Sequence, residues 1–193
     1  MQRSLLSRPS LASLAFVLLG PLFTNKAFAL PFVTGGAGLG YTFVEGEKKS
    51  SSTGVAIAKG RFGYISDEYN YFFALDVNAY RFYKAGQLKA DQDGNNVLLV
   101  AGYEYSGSSF WIAGGGGEIR TFNRPEEKTK PYRYLVTEYQ LGYSLQLYAS
   151  DYAKVELGVL LDRMQPDSEW QAKNEARSLN SLQFDVGFKL FNW

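Results

Sequence analysis

Two acidic residues, Glu138 and Glu156, have the residue type that paired-carboxylate acid–base chemistry requires. Ion pairing with neighbouring cations is a simpler explanation for these two acidic residues, because lysines and arginines occur along the same part of the chain. The chain contains no histidine and no cysteine, so a serine nucleophile would have to rely on lysine or aspartate. The lack of cysteine also excludes a thiolate metal site and a disulfide framework. The residue types therefore favour a protein that is not an enzyme and uses no cofactor.

Two short stretches begin like ligand-binding motifs but lack a required part. The stretch GGAGLG at 35–40 spaces its glycines two residues apart, which is the period of a strand, and no helical pattern follows. It does not predict a phosphate-binding loop. The stretch DQDGN at 91–95 begins like a calcium loop, but Gly102 occupies the position of the closing glutamate. We predict a turn at 91–95.

Alternating apolar and polar residues dominate the rest of the chain. A period of two predicts β-strands with one apolar and one polar face. The segments are longer than most globular strands and match the roughly 9–11 residues that a tilted strand needs to cross a bilayer. Eight such segments are present, at 32–44, 55–66, 70–83, 96–106, 109–122, 132–148, 152–163 and 180–193.

The start of the chain predicts export. Residues 1–29 combine Arg3 and Arg8 with an apolar stretch at 11–20 and a small-x-small site ending at Ala29, which is the pattern of a signal peptide. We expect a single domain at 30–193. It carries 17 basic and 19 acidic residues, a net charge of about −2, which argues against nucleic acid as a partner.

The connections between segments alternate in length. The first, third, fifth and seventh are long and polar, whereas the second, fourth and sixth are the short stretches SDEY, SG and ASD. Outer-membrane barrels have short periplasmic turns and longer extracellular loops. We therefore expect the long loops outside the cell and both termini in the periplasm.

The glycines indicate which face points inward. A soluble eight-stranded barrel would also alternate, with its apolar face inside. The lumen of such a barrel is just wide enough for side chains, so small residues must make room for long ones. Nine glycines fall on the faces that carry the charges, which places the polar face inside and the apolar face against lipid: Gly36, Gly38, Gly40, Gly102, Gly114, Gly116, Gly142, Gly158 and Gly187.

The polar faces carry twelve charged residues, five basic and seven acidic. Unpaired charges are costly in a narrow interior, so we interpret most of them as ion pairs that fill and stiffen the barrel. Passage of a solute or of protons is the alternative. The residues are Lys59, Arg61, Asp76, Glu104, Glu118, Arg120, Glu138, Lys154, Glu156, Asp162, Asp185 and Lys189.

Aromatic residues near the strand ends predict two interfacial girdles. The short-turn girdle would contain Tyr64, Tyr71, Tyr103, Tyr105, Trp111, Tyr148 and Trp193, and the other Phe43, Phe82, Phe122 and Tyr132. We expect Trp170 in the seventh connection to lie in a solvated loop. Lys48 and Lys49 in the first connection are candidate contacts for lipopolysaccharide phosphates.

With this pattern the chain resembles the small eight-stranded outer-membrane barrels of OmpA/OmpX type and, more loosely, the OmpW-like group. The resemblance covers residues 30–193 and rests on pattern and topology. Its most specific element is the terminal strand ending on an aromatic residue, which is similar to the signal that the barrel-assembly machinery reads. The residues of that signal are Phe188, Leu190, Phe191 and Trp193.

The last two aromatic residues break the alternation. Residues 182–190 are one position out of phase with Phe191 and Trp193. Either a bulge near Leu190 resets the register, or Trp193 lies at the rim outside the ladder.

The resemblance implies an all-β fold, an eight-stranded antiparallel up-and-down transmembrane β-barrel. We expect a monomer in the bacterial outer membrane, in contact with membrane lipid and lipopolysaccharide, with a structural or surface-interaction role and a host surface as one possible partner. An OmpW-like channel or binder for small apolar molecules is the first alternative, with Leu98, Val100, Ile112 and Leu160 lining a pocket. A lipid-modifying enzyme is the second, and it is disfavoured because the enzymes of this fold class use a catalytic histidine.

Overall fold

The computed structural model describes residues 29–46, 49–66, 69–86, 88, 90–121 and 132–191. The predicted signal peptide lies almost entirely outside these residues and stays a prediction. The described residues form eight strands: β1 Ala29–Gly46, β2 Ser51–Ser66, β3 Tyr71–Phe82, β4 Gln92–Tyr105, β5 Ser108–Thr121, β6 Tyr132–Ala149, β7 Ala153–Pro166 and β8 Ala176–Phe191. One helix, α1 at Ser168–Asn174, lies between β7 and β8. No helix in the described part of the chain is long and apolar enough to span a membrane.

The strands form a closed antiparallel barrel, which confirms the predicted fold class. Each strand pairs with the next along the chain, and β8 returns to pair with β1. The connections after β1, β3, β5 and β7 lie at one end of the barrel, the long-loop end, and those after β2, β4 and β6 at the opposite, short-turn end. The connection after β1 covers only 47–50 and is no longer than the one after β2, so the prediction of a long first connection is wrong, because β1 and β2 pair as far as Val44 and Ser51. β4 already begins at Gln92, so the turn predicted at 91–95 is wrong: residues 92–95 pair with β3 and β5.

The apolar faces point outward. Leu39, Val77 and Leu135 expose 67%, 59% and 73% of their surface, whereas Asp76 and Glu138 are buried. Glycines make this arrangement possible, because a Cβ at Gly102 would collide with the Phe72 ring, and one at Gly142 with the Trp111 ring. The interior is therefore filled by large and small side chains in alternation, as a barrel of this size requires.

β5 faces the opposite way from the sequence prediction. Four consecutive glycines at 114–117 carry no alternation, so the phase of this strand depends on its flanks. Trp111 and Ile119 are both buried in the lumen, and Cβ atoms on Gly115 and Gly117 would collide with the β4 backbone. The residues placed outside, contrary to the prediction, are Ile112, Gly114, Gly116, Glu118 and Arg120.

The connection before β8 contains α1 rather than a solvated loop. Asp167 caps the helix by accepting a hydrogen bond from the Trp170 backbone at 2.9 Å, and the chain leaves it at Glu175 with a φ of 50°. Trp170 is completely buried, so its predicted exposure is wrong. Its indole Nε1 donates to Gln92 Oε1 at 2.9 Å, which holds the helix over the long-loop end of the lumen.

The aromatic residues split between surface and interior. Trp111 and Phe82 are buried in the lumen, so their assignment to the girdles is wrong, because both lie in phase with the inward faces of their strands. Phe122, Trp193 and Lys48 lie outside the described residues, and Lys49 is exposed. Tyr132 is exposed but stacks on the inward-facing Tyr134, so it is not part of an outer girdle. The girdle residues that are exposed on the outer surface are Phe43, Tyr64, Tyr71, Tyr103, Tyr105 and Tyr148.

The end of β8 keeps its register. Phe191 pairs with Phe32, and β8 pairs with β1 without a shift from Leu179 onward, so there is no bulge near Leu190. Phe188 and Leu190 are exposed on the outer face, while Phe191 packs against the interior. The change of phase in the sequence thus reflects an inward-facing aromatic residue. The role of these residues as an assembly signal stays a prediction.

Candidate functional site

The lumen is the candidate functional site, and its first charged layer lies near the short-turn end. Glu104 on β4 accepts a hydrogen bond from Lys154 on β7 at 3.0 Å and forms an ion pair with Lys189 on β8. These contacts cross the barrel from one wall to the other. The Lys189 ammonium also lies 4.1 Å from the ring centroid of Phe32 and 5.1 Å from that of Phe191, so aromatic faces complete its surroundings.

The second layer contains a two-point ion pair between neighbouring strands. Arg61 on β2 donates from Nε and Nη2 to the two carboxylate oxygens of Asp76 on β3, at 2.6 and 2.8 Å. Both residues are buried. The guanidinium lies 4.5 Å from the Trp111 ring centroid and 5.6 Å from that of Phe72. Its charge is therefore matched on one side by a carboxylate and covered on the others by aromatic rings.

A second ion pair in the same layer passes over β1. Lys59 on β2 and Asp185 on β8 are separated by β1, and they form a hydrogen-bonded ion pair. The crossing depends on glycine, because a Cβ on Gly38 would collide with Asp185, as would one on Gly158 of β7. A cavity of about 20 Å³ beside this pair and Arg61 has room for about one water molecule.

The third layer contains two carboxyl groups, of which Glu138 is held by neutral donors. Glu138 is buried and accepts hydrogen bonds from Tyr80, Asn96 and Gln140, and Gln140 also donates to the Tyr80 hydroxyl at 2.7 Å. Asp162 lies beside Glu138. Within the described residues neither carboxyl belongs to an ion pair, so hydrogen bonds from neutral donors take the place of an ion pair at Glu138.

The paired carboxylates suggested by the sequence do not meet. Glu138 pairs across β6 and β7 with Met164, whereas Glu156 pairs with Gln146, eight residues further along β6. That separation is about 26 Å along a strand. Glu156 instead accepts from Ser144 at 3.3 Å. The neighbour of Glu138 is Asp162, which pairs with Gln140, two residues further along β6. A β-bulge between Gln146 and Tyr148 shifts the register, so counting outward from the short turn ASD would not have identified this neighbour.

An apolar cap closes the lumen at the long-loop end. Phe82, Ile119, Met164, Trp170 and Leu179 are all buried there in one cluster. This cap lies between the polar layers and the solvent on that side, so the polar lumen does not open through it.

The helix is also anchored on its outer side. Lys173 of α1 lies 3.7 Å from the Tyr132 ring centroid and donates to the Tyr134 hydroxyl and to Glu169, each at 3.1 Å. The Tyr134 hydroxyl, with a smaller contribution from Glu169, raises the pKa of Lys173. The helix is thus held by Trp170 from inside and by Lys173 from outside.

Most of the charges predicted for the lumen lie there. Ten of the twelve face inward, and the exceptions are Glu118 and Arg120, which form an ion pair on the outer surface. Leu98, Val100 and Leu160 are buried in the lumen, but Ile112 is exposed on the outer face, so the four residues do not line one pocket. The sequence analysis did not identify Tyr80, Asn96 and Gln140 as site residues. They are polar or aromatic residues at inward positions of their strands.

A closed antiparallel barrel with an apolar exterior and a polar, side-chain-filled interior defines a small transmembrane β-barrel of outer-membrane type. Solved structures of small outer-membrane barrels are similar to this chain. Neisserial surface protein A matches with a TM-score of 0.55 at 12% identity, over 83% of this chain and 96% of that one. The attachment invasion locus protein Ail of Yersinia pestis matches with a TM-score of 0.55 at 10% identity, over 82% and 98%.

A second structure of Ail, in complex with the heparin analogue sucrose octasulfate, matches with a TM-score of 0.53 at 12% identity, over 84% of this chain and all of that one. No protein-family model matches the sequence, and no curated protein matches it. At these identities the likeness establishes the fold, which agrees with the resemblance to small eight-stranded outer-membrane barrels.

Proposed function

We propose that this protein is a non-conducting outer-membrane barrel with a structural and surface-interaction role. The observation that carries the proposal is the filled lumen. The ion pairs of Glu104 cross it, the Lys59–Asp185 pair fills the space over β1, and the cap around Trp170 closes one end. Such an interior stabilises a membrane anchor and leaves the interaction surface at the long-loop end.

The orientation follows from the export signal and the loop lengths. A signal peptide at 1–29 delivers the chain to the periplasm, where the barrel-assembly machinery inserts it as a monomer. The long-loop end then faces outside the cell and the short turns face the periplasm. Two of the similar structures are of proteins named for the cell surface and for attachment, which supports an interaction role for this end.

The two alternatives fit the geometry less well. A channel or binder for small apolar molecules needs a pocket of roughly 300–1,000 Å³. The lumen cavity beside Lys59 is about 20 Å³, and Ile112 points away from the lumen. A lipid-modifying enzyme needs a reactive constellation, but Glu138 and Glu156 lie far apart and the chain has no histidine.

Planar-bilayer recordings of the refolded mature chain test the proposal. We expect no steady current, because the charged side chains that fill the lumen are held in ion pairs. Insertion is verified separately, by protection of the barrel from protease in lipid vesicles. Stable, voltage-independent currents from protein shown to be inserted would overturn the closed-lumen proposal and favour the channel.

A further inference from the structure

The outward-facing charges of the barrel are confined to one end. Within the described strands they all lie within four residues of the long-loop end, and the basic ones are all arginines. The eight residues are Glu45, Arg81, Asp93, Glu118, Arg120, Arg133, Arg163 and Arg177. An arginine guanidinium binds phosphate through two parallel hydrogen bonds and is more weakly hydrated than a lysine ammonium.

These arginines divide into two groups around the barrel. On β3 to β6 each has a carboxylate partner: Arg81 lies 3.4 Å from Asp91 and 3.5 Å from Asp93, while Glu118 pairs with both Arg120 and Arg133. The second group is on β7 and β8.

Arg163 and Arg177 form no ion pair among the described residues. The neighbouring carboxylate on β1, Glu45, instead accepts a hydrogen bond from Ser178 at 2.7 Å. One side of the barrel thus presents arginine charge that the described protein does not neutralise.

Arg163 lies at the edge of an apolar groove on this side. In the strand register it belongs to a row with Tyr139, Asn180 and Phe43. The next row toward the short-turn end consists of Ile112, Leu141, Leu161 and Leu182. The two rows line a groove of about 510 Å³ on the outer face.

The groove has the chemistry of a site for a charged lipid. Its lower row, the one nearer the short-turn end, offers aliphatic surface to an acyl chain. Arg163 and the Asn180 amide offer hydrogen-bond donors at the height of the headgroup. Arg163 lacks a carboxylate partner, so a phosphate there would gain a charge-assisted hydrogen bond without first displacing an existing ion pair. A lipid with an anionic headgroup and at least one acyl chain fits this arrangement, with its headgroup at the row that contains Arg163 and its acyl chain along the lower row.

We propose that this groove binds a phosphorylated glycolipid of the outer leaflet, with an acyl chain along the lower row and a lipid phosphate on Arg163. The inference rests on the proposed outer-membrane location, which brings the groove into contact with that leaflet. It does not depend on whether the lumen conducts.

Binding of purified lipid A to the full mature chain tests the site. The protein is held in a neutral detergent, and the bound lipid is counted by native mass spectrometry over a range of lipid concentrations. We expect the R163Q variant to bind about tenfold more weakly than the unmodified protein, because it loses the two-point phosphate contact. The matched control is R120Q, another outward arginine near the long-loop end, whose charge Glu118 already satisfies. We expect it to change the affinity by less than about twofold.

Two further measurements identify what is bound. Enzymatically dephosphorylated lipid A should bind the unmodified protein about as weakly as intact lipid A binds R163Q, whereas inorganic phosphate should not displace the lipid. Equal losses in R163Q and R120Q, or equal binding of both lipids, would overturn the proposed site. Displacement by inorganic phosphate would overturn the lipid as its occupant. If R163Q does not fold, R163K keeps the charge and loses only the two-point geometry, and the comparison of the two lipids still decides the outcome on the unmodified chain.

Discussion

Removing a buried charge of the lumen should reduce the stability of the barrel more than removing a charge on its outer surface. Arg61 and Asp76 are enclosed by Trp111 and Phe72, so neither group can exchange its partner for bulk water. Glu118 and Arg120 on the outer face retain partial exposure and lie near Arg133. A buried ion pair that loses one member leaves an uncompensated charge in a medium of low dielectric, whereas a partly exposed pair does not.

Neutralising one member of the buried pair should therefore be strongly destabilising. We expect D76N to lower the free energy of unfolding by about 3–5 kcal/mol, because Arg61 stays charged in a site without an anion. The E118Q control should cost less than about 1 kcal/mol. Urea-induced unfolding from lipid vesicles, followed by tryptophan fluorescence, measures both. A D76N barrel as stable as E118Q would mean that the lumen is freely hydrated, contrary to a packed interior.

At the scale of the strands, the period of two was sufficient to predict eight strands and their order around the barrel. It failed where side chains carry no alternation. In β5 the four glycines at 114–117 hide the phase, and Glu118 and Arg120 were assigned to the wrong face. The alternation also could not predict the strand register, because pairing depends on turn geometry. Glu138 consequently lies beside Asp162 rather than beside Glu156.

Helix α1 was missed for a different reason. Its sequence SEWQAKN is short and polar, so periodicity gives no signal, although Asp167 followed by Glu169 is a helix start. An isolated seven-residue helix is not stable in water, which means that tertiary contacts must hold it. Trp170 supplies the main contact, through burial in the cap and its hydrogen bond to Gln92.

Removing that contact should release the helix while the barrel stays closed. We expect W170A to speed tryptic cleavage after Lys173 by about tenfold or more, since losing a buried tryptophan costs about 3–5 kcal/mol. W170F is the matched control, because it keeps most of the packing and loses only the hydrogen bond, and its cleavage should be closer to that of the unmodified chain. Cleavage in folded vesicle-bound protein is followed by mass spectrometry. Identical cleavage rates for W170A and the unmodified chain would show that Lys173 and its tyrosine contacts hold the helix by themselves.

At the scale of the whole molecule, charge is distributed asymmetrically on both surfaces of the wall. Inside, the ion pairs concentrate toward the short-turn end and the apolar cap closes the other. Outside, the strands carry charge only at the long-loop end within the described residues. The loop lengths predict that the long-loop end lies beyond the outer leaflet, and once it is there the outward arginines oppose its return through the bilayer, which maintains one orientation.

The absence of cysteine makes that orientation directly measurable. Glu169 at the long-loop end and Tyr152 at the short-turn end each expose 66% of their surface, so single cysteines placed there should have similar intrinsic reactivity. On intact cells a membrane-impermeant maleimide should label E169C and leave Y152C unlabelled. After the outer membrane is permeabilised both should react, which controls for folding and expression. Labelling of Y152C alone on intact cells would invert the orientation, and it would also place the Arg163 groove away from the outer leaflet. Lipid binding measured on the purified protein would then remain valid, but the groove would not contact the proposed outer-leaflet lipid in the cell.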